Sequence, residues 1–248
     1  MIDTILFDLD GTLLQFSQEA FISAYFAELG KVFEIMGMDA GVSIKAVWAG
    51  TKAMMQNDGS QVNSRRFWAA FAEHLGLPDD KCRAVEAACD TFYVGGFNKV
   101  KAILTQDDIS RRIVSALKSK GYGMVLATNP LFPACAIETR LKWIGLEPRD
   151  FLHVTDYSNS YFCKPNQGYY NAIFSKINKT PGQCLMVGNS PVEDMSAGGL
   201  GTETFLVIDH LENESGADVT AFRRGTLAQL ERYLASLPPI SQQPVGGY

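Results

Sequence analysis

Asp8 and Asp10 stand two residues apart where the apolar run Thr4-Ile5-Leu6-Phe7 ends and Gly11 turns the chain. A side-chain period of two aims both carboxylates the same way if the strand continues, and lets them splay around one centre at its end. Two carboxylates about 4 Å apart repel by roughly 4 kcal/mol at an effective dielectric near 20. Such a pair needs a cation or a shared proton. Taken alone, the segment also fits a strand-end turn with two solvated acids. Three later segments argue against that bland reading. Thr128-Asn129 follows the apolar run Val125-Leu126-Ala127, and Lys164-Pro165 lies in a loop. Gly188-Asn189-Ser190 follows Cys184-Leu185-Met186-Val187, with Glu193-Asp194 just beyond. One lysine, one hydroxyl and several oxygen donors suit phosphate and Mg²⁺ chemistry, because Mg²⁺ prefers carboxylates, carbonyls, waters and phosphate oxygens.

The elements that must bring these residues together are written in the hydrophobic pattern. Residues 17 to 94 carry mostly helical spacing: Ser17 is a predicted N-cap, and Phe21, Tyr25, Leu29 and Val32 share one face. Further helices are predicted over about 43–56, 63–75 and 79–93, with breaks at Gly41, Gly59 and Leu77-Pro78-Asp79. From about residue 100 helices alternate with short apolar strands. Helix 108–119 precedes strand 123–127, helix 133–143 a weaker strand at 151–154, helix 167–178 strand 184–187, and a short helix from about 192 strand 204–208. Continuous apolar strands between helices predict a doubly wound parallel sheet covered on both faces. The expected organisation is an α/β core of residues 1–14 and 100–240, an inserted all-helical domain over 15–99, and a loose C-terminal tail at 241–248. In such a sheet, ligands bind beyond the carboxyl ends of the strands, which is where the polar residues fall.

Composition narrows the function classes. The chain has 248 residues, 46% of them hydrophobic, enough for one large core with a smaller insert. A net charge of −5 gives no reason to expect a nucleic-acid partner. No run approaches the roughly 18 apolar residues of a membrane span, and no basic stretch leads into a signal sequence. Five cysteines form no CxxC pair, and Cys82 and Cys89 are expected as buried thiols on one helical face. Together these features predict a reduced, cytoplasmic protein; the oligomeric state leaves no mark on the sequence.

The ordered set Asp8-Leu9-Asp10-Gly11-Thr12, Thr128, Lys164-Pro165 and Gly188-Asn189-Ser190-Pro191-Val192-Glu193-Asp194 resembles the four motifs of the haloacid dehalogenase-like hydrolase superfamily. The resemblance covers the whole α/β core; the insert matches the superfamily's helical cap only in position and helical character. It implies an Mg²⁺-dependent phosphatase acting on a small phosphorylated metabolite. Asp8 would be the nucleophile and form an aspartyl-phosphate. Asp10 would be the general acid and then the base, and would offer its main-chain carbonyl to the metal. Thr128 and the Asn129 amide would hold the phosphoryl oxygens, and Lys164 would neutralise charge on Asp8 and the transferring group. Asp8 and Asp194 would ligate Mg²⁺, joined by Asn189 and Glu193.

This chain departs from the pattern at Asn189, where the superfamily usually has an aspartate. An amide offers a carbonyl oxygen without the charge, so weaker Mg²⁺ binding is expected, with Glu193 in a position to compensate. Asp10 separates reaction classes. The superfamily's dehalogenases lack this acid because a halide leaves without a proton, so phosphate-ester hydrolysis is favoured over 2-haloacid dehalogenation. A phosphomutase shares the same acid/base, and a non-catalytic binding protein retaining the fold is the alternative outside catalysis. The insert is rich in aromatic residues, most of them expected as its own core. Arg65, Arg66, Lys45 and Lys52 are candidates to reach an anionic part of a substrate, with a solvated helix surface as the simpler reading. Residues 14–16 and Gly95-Gly96 are the expected hinges.

Overall fold

The computed structural model describes residues 1–105 and 107–240, and within them six strands form one sheet. The strands are β1 (Thr4–Phe7), β2 (Gly123–Leu126), β3 (His153–Val154), β4 (Cys184–Gly188), β5 (Glu203–Val207) and β6 (Arg224–Gly225). Their spatial order is β3-β2-β1-β4-β5-β6, with every neighbouring pair parallel. This is the doubly wound order, in which the chain leaves β1 in one direction and later returns to its other side. The helices, in chain order, are α1 (Gln18–Ile35), α2 (Ala40–Met55), α3 (Asn63–Leu75), α4 (Asp79–Val94), α5 (Ile109–Ser119), α6 (Ala134–Trp143), α7 (Gln167–Ile177) and α8 (Leu227–Ser236).

Alternation along the strands builds two apolar layers from uninterrupted apolar runs. Leu6, Val125, Cys184 and Met186 face α7, where Tyr169, Tyr170, Ile173 and Phe174 cover them. Ile5, Phe7, Leu126, Leu185 and Val187 face the opposite way, against Ile113 and Leu117 of α5 and Leu230 of α8. The second cluster continues without a break into the helices that follow β1, through Phe21, Phe33, Phe71 and Phe92. Phe97, in a 3₁₀ run over Gly96–Ile103, packs on Trp143 of α6 with ring centroids 5.0 Å apart and helps join the two regions.

Most expected elements are present, with informative shifts at their ends. Ser17 caps α1, its hydroxyl accepting from the Ala20 N–H at 3.3 Å. Helix α2 starts at Ala40, ahead of the expected residue 43, because the Asp39 carboxylate accepts from the Val42 N–H at 2.8 Å and caps the earlier start. The short helix expected from about 192 is instead a 3₁₀ run over Met195–Leu200, where Gly198-Gly199 weakens any α-helix. The strand expected at 151–154 shrinks to His153–Val154. Strand β6 and helix α8 were not anticipated. Their local signal is the capping box of Thr226 and Gln229, each side chain bonded to the other's main chain. Cys82 and Cys89 are buried free thiols on α4 as expected. The C-terminal tail expected at 241–248 lies outside the described residues, among which no helix is long and apolar enough to cross a membrane.

Candidate active site

Register places the functional residues side by side. Phe7 is paired with Leu126 on one flank and Val187 on the other, so β1, β2 and β4 end at one level. The Asp8 N–H donates to the Val187 carbonyl at 2.8 Å, and the Ala127 N–H to the Phe7 carbonyl at 2.7 Å. Asp8, Thr128 and Asn189 therefore stand together beyond the sheet edge, at the point where strand order reverses.

Lys164 enters from the loop before α7 and is fully buried. Its Nζ donates to Asp8 Oδ1 at 2.8 Å and to Asp194 Oδ1 at 2.6 Å. Burial works against the ammonium, but Asp194 and Asp8 outweigh it and hold the lysine well above its ordinary range. For Asp194, burial is the larger effect and pushes the carboxyl up, against the pull of Lys164. Asp194 Oδ2 also accepts from the Ser190 N–H at 2.9 Å, tying the turn after β4 to its own helix start. This close approach requires glycine at 188: a Cβ there would lie 2.1 Å from the Asp194 carboxyl carbon.

The loop after β2 is braced from beneath. The Thr128 carbonyl accepts from Thr155 Oγ1 at 2.7 Å and from the Tyr169 hydroxyl at 2.8 Å, while the residue itself lines the cleft. The Asn129 side chain is committed to its neighbours. Its Oδ1 accepts from the Lys164 N–H at 3.2 Å, and its Nδ2 donates to Glu193 Oε2 at 2.9 Å. For a phosphoryl oxygen, its main-chain N–H is the amide left over. Glu193 lines the same cleft, and burial pushes its carboxyl up to about 7.

Asn189 also lines the cleft, but its amide is a brace. Nδ2 donates to the His210 carbonyl at 2.6 Å, and Oδ1 accepts a long 3.5 Å bond from Thr12 Oγ1. It sits against Gly11, whose φ of +72° and lack of a Cβ let the two loops touch. All the sequence-predicted site residues thus meet at one sheet edge. The insert cations do not join them. Arg66 is engaged by Asp58 at 2.5 Å and Ser60 at 2.8 Å, Lys45 and Lys52 are exposed, and neither these nor Arg65 line the cleft.

Two further residues belong to the site. Arg140 of α6 is fully buried, and its Nη1 donates to Asp10 Oδ2. Its guanidinium carbon lies 4.3 Å from the centre of the Phe132 ring and 5.8 Å from that of Phe21. An arginine on the apolar face of α6, between Ile137 and Leu141, was the available signal: a charge there needs a buried partner. Glu212 comes from the loop after β5, and its N–H donates to the Asn189 carbonyl at 3.0 Å. Burial, then repulsion from Asp8 and the other acids, pushes it up to about 8. No spacing rule points to Glu212, because the loop that delivers it has no regular period.

Among the described residues no three His, Cys, Asp or Glu side chains converge into a ready-made metal cage. The donor chemistry nevertheless fits a hard cation. Asp8, Asp10, Glu193, Asp194 and Glu212 line one cleft, Arg140 is committed to Asp10, and Asp10 Oδ1 is buried without a partner. That surplus of oxygen donors and negative charge suits Mg²⁺.

The site opens into a cavity of about 200 Å³ whose far walls come from α1 to α4. A model of the haloacid dehalogenase-like hydrolase family matches residues 2–200, and the chain belongs to that family. No curated protein matches. Among solved structures, it is similar to a HAD phosphatase from Thermococcus onnurineus at 16% identity, covering 96% of this chain and 100% of that one, with a TM-score of 0.59. A 2-haloacid dehalogenase from Pseudomonas syringae pv. Tomato DC3000 is 18% identical over 95% and 99% of the two chains, with a TM-score of 0.62. The putative HAD-hydrolase YfnB from Bacillus subtilis, bound to magnesium, is 21% identical over 94% and 98%, with a TM-score of 0.54. At these identities the shared property is the fold.

Proposed function

We propose that this protein is an Mg²⁺-dependent phosphatase that hydrolyses a small phosphorylated metabolite through an aspartyl-phosphate on Asp8. The observation that carries this reading is the state of Asp10: one carboxyl oxygen is fixed by Arg140, while the other is buried beside the cleft with no partner. A leaving alkoxide needs a proton donor held in that way; a leaving halide does not.

Asp8 attacks phosphorus as a carboxylate while Lys164 screens its charge. The bond from phosphorus to the leaving oxygen breaks, and Asp10 gives that oxygen its proton. Asp10, now a carboxylate, takes a proton from water. The water oxygen attacks the phosphorus of the acyl phosphate, the bond to Asp8 breaks, and inorganic phosphate departs. The Thr128 hydroxyl and the Asn129 main-chain N–H hold the phosphoryl oxygens, and Lys164 offsets the charge that grows on them. Asp8, Asp194 and the Asp10 main-chain carbonyl would hold Mg²⁺, with Glu193 and Asn189 near it. Bound there, the metal supplies charge stabilisation to the transferring phosphoryl group. In the same reading residues 1–14 and 100–240 form the catalytic core, and 15–99 form a cap that excludes water, flexing at residues 14–16 and Gly95-Gly96.

The test is hydrolysis of p-nitrophenyl phosphate with and without Mg²⁺, using Asp8→Asn as the blank. Metal-dependent turnover lost in the variant is expected. Turnover that survives Asp8→Asn would overturn the covalent mechanism.

A further inference from the structure

The leaving group of the substrate is legible in the cleft, given the phosphatase reading on which this inference rests. Beyond the sheet edge the walls are aromatic: Tyr25, Trp48, Phe67, Trp68, Phe132 and Tyr157 are among the side chains that form them. Every charged residue lining the cavity is acidic, and no lysine, arginine or histidine lines it among the described residues. Of the two buried cations nearby, Lys164 is bonded to Asp8 and Asp194, and Arg140 is bonded to Asp10 through Nη1 while its Nε and Nη2 are buried, unpartnered and off the cavity lining. A second phosphate or a carboxylate on the substrate would therefore enter a negatively charged cleft with nothing to pair it.

Sugar hydroxyls fare little better, because the polar tips on the far wall are mostly bonded to one another. The Tyr25 and Tyr93 hydroxyls share a hydrogen bond of 2.6 Å, and Trp68 Nε1 donates to the Tyr157 hydroxyl at 3.4 Å. Thr51 donates to the Val47 carbonyl of its own helix at 3.0 Å. A polyol placed there would give up water and find few partners in return, chiefly the Tyr157 hydroxyl proton and Gln18. The volume of about 200 Å³ compares with roughly 150 Å³ for a cavity that holds benzene, so it suits a phosphate bearing a tail of about one ring.

We infer that the substrate is a phosphate monoester of an uncharged, largely apolar alcohol or phenol of about one-ring size. Phosphoglycolate-like acids, bisphosphates, hexose phosphates and nucleotides are the disfavoured classes.

The experiment uses the full chain with Mg²⁺ and four esters: 2-phenylethyl phosphate, glucose 6-phosphate, phosphoglycolate and AMP. The first two both release a primary alkoxide, so their intrinsic reactivities are matched and their difference reports the cleft. The expected kcat/KM is at least about 100-fold higher for 2-phenylethyl phosphate than for the other three. Calorimetry on Asp8→Asn protein repeats the ranking as affinity, independent of turnover. A preference for phosphoglycolate, AMP or glucose 6-phosphate in either measurement would overturn the inference and leave the phosphatase reading intact. Tight binding of 2-phenylethyl phosphate to Asp8→Asn protein, with no turnover of any ester by the native chain, would do the reverse. Trp48→Arg places a cation on the cleft wall at a side chain that is already half-exposed. It should narrow the gap between phosphoglycolate and 2-phenylethyl phosphate about tenfold, and an unchanged gap would also count against the inference.

Discussion

The two halves of the cleft are built by opposite rules. At the sheet edge, short loops deliver charged groups whose side chains are bonded to one another or to main chain, as in the Lys164 link between Asp8 and Asp194. On the far side, four helices present aromatic rings that pack by stacking and leave few polar groups unpaired, as with Phe67 against Phe71 at 6.1 Å. The first half has surplus charge and a fixed geometry, which suits chemistry on a phosphoryl group. The second has shape and almost no directional bonding, which suits selection by size and polarity. If the proposed function holds, chemistry and selection are separable, and substitutions should reveal the division.

The largest effect is expected at Lys164. Lys164→Met leaves two buried carboxylates facing each other, at a cost of about 3–5 kcal/mol in stability, and removes the charge that screens Asp8. Denaturant unfolding with and without Mg²⁺ checks this: the metal should recover much of the loss, and no recovery would count against a metal between these acids. Phe71→Ala is next. It deletes a ring that is 1% exposed and should cost about 3–4 kcal/mol. KM for an ester should rise while competitive inhibition by inorganic phosphate stays unchanged; a weakened phosphate constant would break the comparison. Arg140→Met keeps the apolar stem but strands Asp10, and about 2–3 kcal/mol of stability is expected to go. Adding Asp10→Asn to it should restore most of that loss, which a double-mutant cycle measures directly. The smallest effect is at Asn189. Asn189→Asp loses the donor to the His210 carbonyl and faces that oxygen with a charge. The melting temperature should fall by a few degrees without metal, for a cost of about 1 kcal/mol, and the apparent Mg²⁺ affinity should tighten.

The sheet edge was readable in the sequence because Asp8, Asp10, Thr128, Asn129 and Asn189 follow closely on strand ends. Strand ends are marked by composition: an apolar run, then a glycine or proline, as at Phe7 to Gly11 and Val187 to Ser190. Glu212 escaped because it arrives on an irregular loop, held only by its N–H to the Asn189 carbonyl. Arg140 was readable in principle, as a charge on an apolar helix face, but its partner lies 130 residues away and no local pattern names it. The cleft walls were least legible. Aromatic spacing shows that Phe21, Phe67 and Phe71 are buried, but whether a ring lines a cavity or fills a core depends on how four helices meet. The insert lysines and arginines show the same limit. Only the packed structure places Arg66 on Asp58, away from the cleft.

The position of β1 in the sheet has a consequence for synthesis. Its neighbours are residues 123–126 on one side and 184–187 on the other, so the strand that leads into Asp8 is made before every other strand of the sheet and gains its second neighbour about 180 residues later. During translation at about 5–20 residues per second, it waits roughly 10–40 s for its second neighbour. For that interval an apolar strand has at least one unpaired edge, the kind of segment that invites association with other chains. The helices between β1 and β2 emerge before either neighbour of β1 and make local contacts early. Under the proposed function, the helices that would select a molecule can take shape on the ribosome before the sheet edge that would transform it is complete.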